Sequence, residues 1–252
     1  MVKRIDFHVH TEFSNDSNLK VEDILNKAKK EDFYIAIADH NEISGYLKSQ
    51  KFNEKMRVIP GIEAASSEGI HILFYCTKKE DLVKFYEEVI RKNKTKDLYR
   101  LNIGALDIIK KGKEYGTFIG LPHPFIKSMG LLNSKIKDTE RCLKLVDFYE
   151  IYNGSTTNSI NKAADNFHKK NLESKPIIVG SDAHFLTDVG NVLLEVNNFK
   201  SLDDLFKNLK SKNNIITNSK FKITPAIIKE LILFNKSNKI DYFKCRMSRL
   251  FK

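Results

Sequence analysis

The sequence predicts an α/β barrel, and three observations predict it. Short apolar runs alternate with amphipathic helical stretches along most of the 252 residues, the pattern of buried parallel strands joined by right-handed helical crossovers. Six of the seven histidines fall in short clusters, nearly all accompanied by acidic residues or tight turns, at the places where strands should end. The clusters belong to many different runs. A barrel gathers functional residues from all its strands at their carboxyl ends, whereas an open sheet offers one crevice.

The expected strands are Ile5–Val9, Tyr34–Ala38, Arg57–Ile59, His71–Tyr75, Phe118–Leu121, Phe148–Ile151, Ile177–Val179 and Val192–Val196. Each is short and apolar. Between them, Val21–Lys30 puts Val21, Ile24, Leu25 and Ala28 on one helical face, and Lys79–Arg91 does the same with Leu82, Phe85, Tyr86 and Val89. Helical patterns follow at Leu98–Lys111, Ile160–Asn171 and Leu202–Lys210. Thr224-Pro225, a capping residue before a proline suited to the first helical position, marks the start of a last helix.

Length suits one large domain that buries its core without staples. The barrel is expected over residues 1–220, and residues 221–252, alternately basic and apolar, read as a helical extension packed on it rather than an RNA- or membrane-binding segment. Cys76, Cys142 and Cys245 are far apart and form no Cys-x-x-Cys pair, which argues against a zinc finger or a disulfide framework. With no signal-peptide pattern at the start, they indicate a cytoplasmic protein, and no stretch has the length of a membrane span. The net charge of +11 fits an anionic partner (a phosphate ester, a nucleotide or nucleic acid) and equally a lysine-rich solvated surface.

The clusters carry the chemistry. Residues i and i+2 of a strand point the same way, so His8 and His10 of Asp6-Phe7-His8-Val9-His10 can grip one cation together. Asp182 and His184 repeat that spacing at another strand end, and Glu63 after Pro60-Gly61 can bridge two ions through its two oxygens. Taken singly, His71 passes for a core histidine and Asp16 for a turn residue; His123 between two prolines is fixed in a rigid turn. Asp39 beside His40 reads as a residue orienting an imidazole. Lys127, four residues after His123, is a candidate phosphate anchor, and Asn153 after another strand end a candidate substrate contact. His168 reads as a surface residue. Imidazole plus carboxylate favours zinc, manganese or iron over calcium. With no nucleophile elbow and no glycine-rich phosphate loop, the attacking group is expected to be metal-bound hydroxide.

Asp6-Phe7-His8-Val9-His10-Thr11, Ala38-Asp39-His40-Asn41, Pro60-Gly61-Ile62-Glu63, Leu121-Pro122-His123-Pro124 and Gly180-Ser181-Asp182-Ala183-His184 resemble, in order, the motifs of the PHP (polymerase and histidinol phosphatase) superfamily. The resemblance runs from Arg4 to about Val196. It implies a distorted seven-stranded β/α barrel with a centre of up to three metal ions. His8, His10, Glu63 and Asp182 would hold the first; Glu63, His71 and His123 the second; Asp16, His40 and His184 the third. The implied activity is hydrolysis of a small phosphomonoester or nucleotide. The alternatives are a histidinol-phosphate phosphatase or an exonuclease of the same superfamily, and a non-catalytic domain that binds nucleic acid or scaffolds a partner. The first two differ in substrate, and the last is distinguished by lost ligands, none of which is missing here. Short insertions around the motifs favour small substrates over polymers, while nucleic acid stays compatible. An unrelated amidohydrolase acting on a C–N bond would be expected to use a carboxylated lysine or a different ligand order.

Overall fold

The computed structural model describes residues 2–209 and 214–217. The helix expected from Thr224, Cys245 and the 221–252 extension lie outside the described residues. Among the described residues nine strands form one sheet: β1 (Val2–Val9), β2 (Tyr34–Ile37), β3 (Val58–Ala65), β4 (His71–Tyr75), β5 (Phe118–Leu121), β6 (Phe148–Asn153), β7 (Ile177–Gly180), β8 (Val192–Asn197) and β9 (Asn214–Thr217). Their order is β7-β6-β5-β4-β3-β2-β1-β8-β9.

The sheet curls on itself. The amino half of β1 pairs antiparallel with β8, from Val2↔Asn197 to Ile5↔Leu194. Its carboxyl end is taken by the segment that follows β7. Val9 and Ala183 form a parallel bridge, the Asp182 amide donates to the His8 carbonyl at 2.7 Å, and the His10 amide donates to the Ala183 carbonyl at 3.1 Å. Gly180 makes this approach possible, because a Cβ there would lie 2.3 Å from the His8 Cβ. The strand interiors meet in a closed core where Phe7, Phe74, Tyr75 and Tyr149 are fully buried, and the Tyr75 hydroxyl donates to the Phe7 carbonyl at 2.8 Å.

The expectation of a wholly parallel strand arrangement needs correction. β4 is antiparallel to both β3 and β5. The cause is chain length: residues 66–70 are too few for a helical crossover, and they close a tight turn in which the Gly69 amide donates to the Ser66 carbonyl with Gly69 at φ +83°. Because β4 runs backwards, its first residue, His71, reaches the rim where the parallel strands end.

Seven α-helices flank the sheet among the described residues: α1 (Val21–Lys30), α2 (Ser44–Ser49), α3 (Lys79–Phe85), α4 (Ala105–Glu114), α5 (Thr139–Leu145), α6 (Asn158–Asn171) and α7 (Leu202–Asn208). α1 buries Val21, Ile24, Leu25 and Ala28, the face its spacing indicates. α2, α5 and β9 were not expected; the two helices are short and carry little periodic signal. The helix expected over Lys79–Arg91 narrows to α3, followed by a π-helical turn over Tyr86–Ile90.

The helix expected from Leu98 starts only at Ala105. Upstream, tertiary pairing overrides the helical pattern: the Leu101 amide donates to the Ala65 carbonyl, the Ser67 amide donates to the Ile103 carbonyl, and Glu68 accepts from the Ala105 amide at 3.0 Å. His168 is also corrected. With Asn161 and Ala164 it lies on the buried face of α6, 8 % exposed, and its Nε2 lies 2.8 Å from the Lys175 carbonyl.

Candidate metal centre

All nine expected ligands meet at one end of the barrel, and Glu63 is their hub. Its Oε1 lies 3.0 Å from His71 Nδ1 and 3.1 Å from His123 Nε2. Its Oε2 lies 2.9 Å from His40 Nδ1, 3.4 Å from His8 Nε2 and 3.5 Å from His10 Nε2. Asp182 Oδ1 completes the first group at 3.1 Å from His10 Nε2. Asp16 Oδ2 joins His40 Nε2 at 3.1 Å and His184 Nε2 at 3.0 Å.

These residues fit metal ions. Two atoms each about 2.1 Å from one tetrahedral ion lie about 3.4 Å apart. His8 and His10 stand 3.4 and 3.5 Å from Glu63 Oε2. The pairs of Glu63 with His40, His71 and His123, of Asp182 with His10, and of Asp16 with His40 and His184 are closer, at 2.9–3.1 Å. Three sets each bring their ligand atoms within 4.8 Å of one another: His8, His10 and Glu63; His40, Glu63 and His71; and His10, Asp16, His40 and His184. Glu63 Oε2, although it lies among the imidazoles of His40, His8 and His10, and Asp16 Oδ1 are buried and make no hydrogen bond among the described residues, a costly arrangement unless a cation completes it. The sets share His10 and His40 more widely than the sequence resemblance implies.

Three loop residues carry left-handed backbones that only glycine adopts freely: Asn41 (φ 54°), His123 (φ 26°) and Asp182 (φ 51°). Each is pinned. The Asn41 amide donates to the Glu63 carbonyl, the His123 amide to Glu150 Oε2 at 2.7 Å, and the Asp182 amide to the His8 carbonyl. Strain of about 1–3 kcal/mol at each is typical of functional sites whose surroundings enforce the geometry.

The charges respond to one another. Burial alone would raise the Glu63 carboxyl, but His71, His40 and His8 hold it well below its ordinary value. Burial disfavours protonated His8 and His40, yet Glu63 and Asp182 around His8, and Asp16 and Glu63 around His40, raise both well above the ordinary histidine range. His10 falls to about 3, through burial and then the charges of His184 and His40.

The remaining expected residues take other roles. Asp39 accepts from the Thr11 amide at 2.6 Å and the Thr11 hydroxyl at 2.7 Å, so its carboxylate anchors the His10–Thr11 turn, not an imidazole. Burial raises it to about 7. Asn153 is buried and donates to Glu150 Oε2 at 3.0 Å and Asp182 Oδ2 at 3.2 Å; it positions ligands and does not line the cavity above them. Lys127 is exposed and off that cavity: in the turn closed by the Gly130 amide donating to the Ile126 carbonyl, its neighbours Ile126, Ser128 and Met129 line the cavity instead.

Glu150 and Arg100 were missed. Glu150 is buried in β6, its Oε1 3.2 Å from His8 Nδ1, its Oε2 accepting from the His123 amide. It thus orients one ligand from each of two groups; an acid inside the run Phe148–Ile151 was the available signal. Such outer carboxylates fix ring orientation and raise ligand basicity. Glu150→Gln should weaken metal affinity roughly 10–100-fold with the fold intact, read by metal titration alongside circular dichroism. Ser14 acts similarly, its hydroxyl 3.1 Å from His10 Nδ1. Arg100 lines the cavity of about 300 Å³ above the ligands.

The PHP domain family profile matches residues 6–224. An uncharacterised protein of Methanocaldococcus jannaschii, MJ0417, is 30% identical over 233 residues, 85% of this chain and 86% of that protein. Among solved structures, the lesion-specific endonuclease PfuEndoQ of Pyrococcus furiosus superimposes with a TM-score of 0.64 at 18% identity, over 85% of this chain and 58% of the endonuclease. A two-domain Bacteroides vulgatus protein with a PHP-like metal-dependent phosphoesterase gives 0.62 at 16% identity, over 86% and 65% of the respective chains. The chain therefore spans less than two thirds of either solved protein, and both likenesses concern the fold. No helix among the described residues is long and apolar enough to cross a membrane. The match across most of the chain, on a barrel whose rim gathers histidines and carboxylates able to hold metal ions, shows that the chain belongs to the PHP domain family.

Proposed function

We propose that this protein is a metal-dependent phosphoesterase that cleaves a small phosphomonoester or nucleotide by in-line attack of water. The observation that supports it most strongly is the gathering of six histidines, Asp16 and Asp182 around Glu63, beside a cavity large enough for a small ester. His8, His10, Glu63 and Asp182 would hold one ion, Glu63, His71 and His123 a second, and Asp16, His40 and His184 a third. Zinc, manganese or iron bound there would activate water near neutral pH and neutralise phosphate charge. Glu150, Asn153 and Ser14 hold the ligands in place, and Asp39 fixes the turn that carries His10.

Cleavage within nucleic acid by the same centre is the second reading, supported by the fold shared with a lesion-specific endonuclease. The amidohydrolase reading loses support, since no lysine lines the cavity among the described residues. The deciding measurement is phosphate release by the manganese-loaded protein from matched monoesters and diesters, including histidinol phosphate, mononucleotides and a short RNA. Release abolished by His184→Ala supports the hydrolase and ranks its substrates. No release from fully metallated protein would turn the reading toward a binding or scaffold domain.

A further inference from the structure

The wall of the cavity is asymmetric. Its floor is made of metal ligands, while its sides carry Ile126, Met129 and Tyr99. Arg100 is the one arginine or lysine among the described residues lining it. Its guanidinium packs over Gly69, whose added Cβ would lie 3.3 Å from Arg100 Nε and 3.4 Å from Nη2. No described carboxylate forms an ion pair with it, although nearby Lys94 pairs with Glu42 and Lys48 with Glu12.

The segment presenting Arg100 is braced. Its backbone is held where the Arg100 amide donates to the Asp97 carbonyl and Thr95 Oγ1 donates to the Arg100 carbonyl, with Leu101 tied to Ala65 next door. Asn15, beside the ligand Asp16, donates to the Leu98 carbonyl at 2.9 Å. An exposed arginine whose backbone is held at the mouth, above a floor that would supply the cations for a reacting phosphate, has the chemistry to read a separate anion.

We propose that Arg100 forms a mouth subsite for a second, non-reacting anionic group of the substrate, joined to the scissile phosphate by an apolar or aromatic spacer lying along Ile126 and Met129. This rests on the phosphoesterase reading of the floor. The second anion is a carboxylate or phosphate of a small molecule, or the next phosphate of a nucleotide chain; the recognition chemistry is shared.

The test uses metal-loaded full-length protein and calorimetric binding of phenylphosphonate and 4-carboxyphenylphosphonate, with the 5′-methylenephosphonate analogues of thymidine 5′-phosphate and of 5′-phosphorylated dithymidine as the nucleotide arm, none of which can lose its terminal group by hydrolysis. The second anion is expected to tighten binding about tenfold in the wild type, as one partly exposed charge-assisted contact would. In Arg100→Gln that gain should shrink to less than about twofold, and it should fade with added salt. The arm showing the gain identifies the source of the anion. No gain in the wild type in either arm, or an equal gain in Arg100→Gln, overturns the subsite even if phosphate release proceeds. Gain that persists in a protein releasing no phosphate from any ester would instead sustain the subsite and count against hydrolysis. Failure of all these compounds to bind overturns the subsite, while the hydrolase reading stands or falls separately on phosphate release.

Discussion

Glu63→Gln is expected to abolish phosphate release and to leave the protein holding fewer ions than the wild type at the same metal concentration. Both Glu63 oxygens are engaged, one with His71 and His123, the other with His8, His10 and His40. Glutamine keeps the shape but replaces one oxygen with a donor that cannot ligate and removes the charge that balances the imidazoles. Losing a single preorganised electrostatic contact in an active site costs about 10²–10³-fold in turnover. A residue shared by two ion sites should cost at least that much. Metal analysis of the purified variant together with its turnover checks this; full metal content with activity within tenfold of wild type would remove Glu63 from the bridging role.

The second large effect is thermal. A cation that binds only the folded chain stabilises it by about 4 kcal/mol at a thousandfold excess over its dissociation constant, an increase in melting temperature on the order of 10 °C for a domain of this size. That gain should grow from pH 6 to pH 8. His8 and His40 are raised in the metal-free fold: burial opposes their protonation, but Glu63 and Asp182, and Asp16 and Glu63, outweigh it. A raised histidine gives stability that is full below its unfolded value near 6.5 and is lost as pH climbs through the folded value. Asp39, raised by burial to about 7, adds to this loss, while His10 and His71, lowered first by burial, oppose it. With His8 and His40 both held protonated, the metal-free protein weakens as pH rises. Ions, which must displace those protons, bind better over the same interval. Glu63, Asp16 and Asp182 are depressed and stay ionised throughout. Melting curves with and without manganese at the two pH values decide it; a gain that shrinks toward pH 8 would mean that the imidazoles are already neutral without metal.

What could be read in the sequence was what strand geometry makes periodic. His8 and His10 share a face because alternate residues do, and the turn motifs at His40, His123 and Asp182 announce themselves by glycine, proline and acidic neighbours. The antiparallel β4 was not legible as such, because a strand's direction follows from the length of its connection and not from its apolar content. Glu150 was hidden by the apolar run containing it. Arg100 was hidden by a helical pattern that Ala65 and Ser67 override through backbone pairing. Lys127 and His168 fail for mirror reasons: proximity in sequence to a ligand does not aim a side chain inward, and a lysine-rich helix end can still turn one imidazole toward the core.

The junction between β1 and the segment after β7 has a kinetic consequence. The contacts that close the barrel, Val9 with Ala183, His8 with Asp182 and His10 with Ala183, join the beginning of the chain to a point near residue 180. Contacts so remote in sequence carry a large loop-closure entropy and form after local ones. Asp182 and His184 thus reach the other ligands only when the ring of strands shuts. A nascent chain that has emerged only as far as β6 has most of the imidazoles but no complete centre. Metal capture would then belong to the last stage of folding, where an ion would lock the closure that created its site.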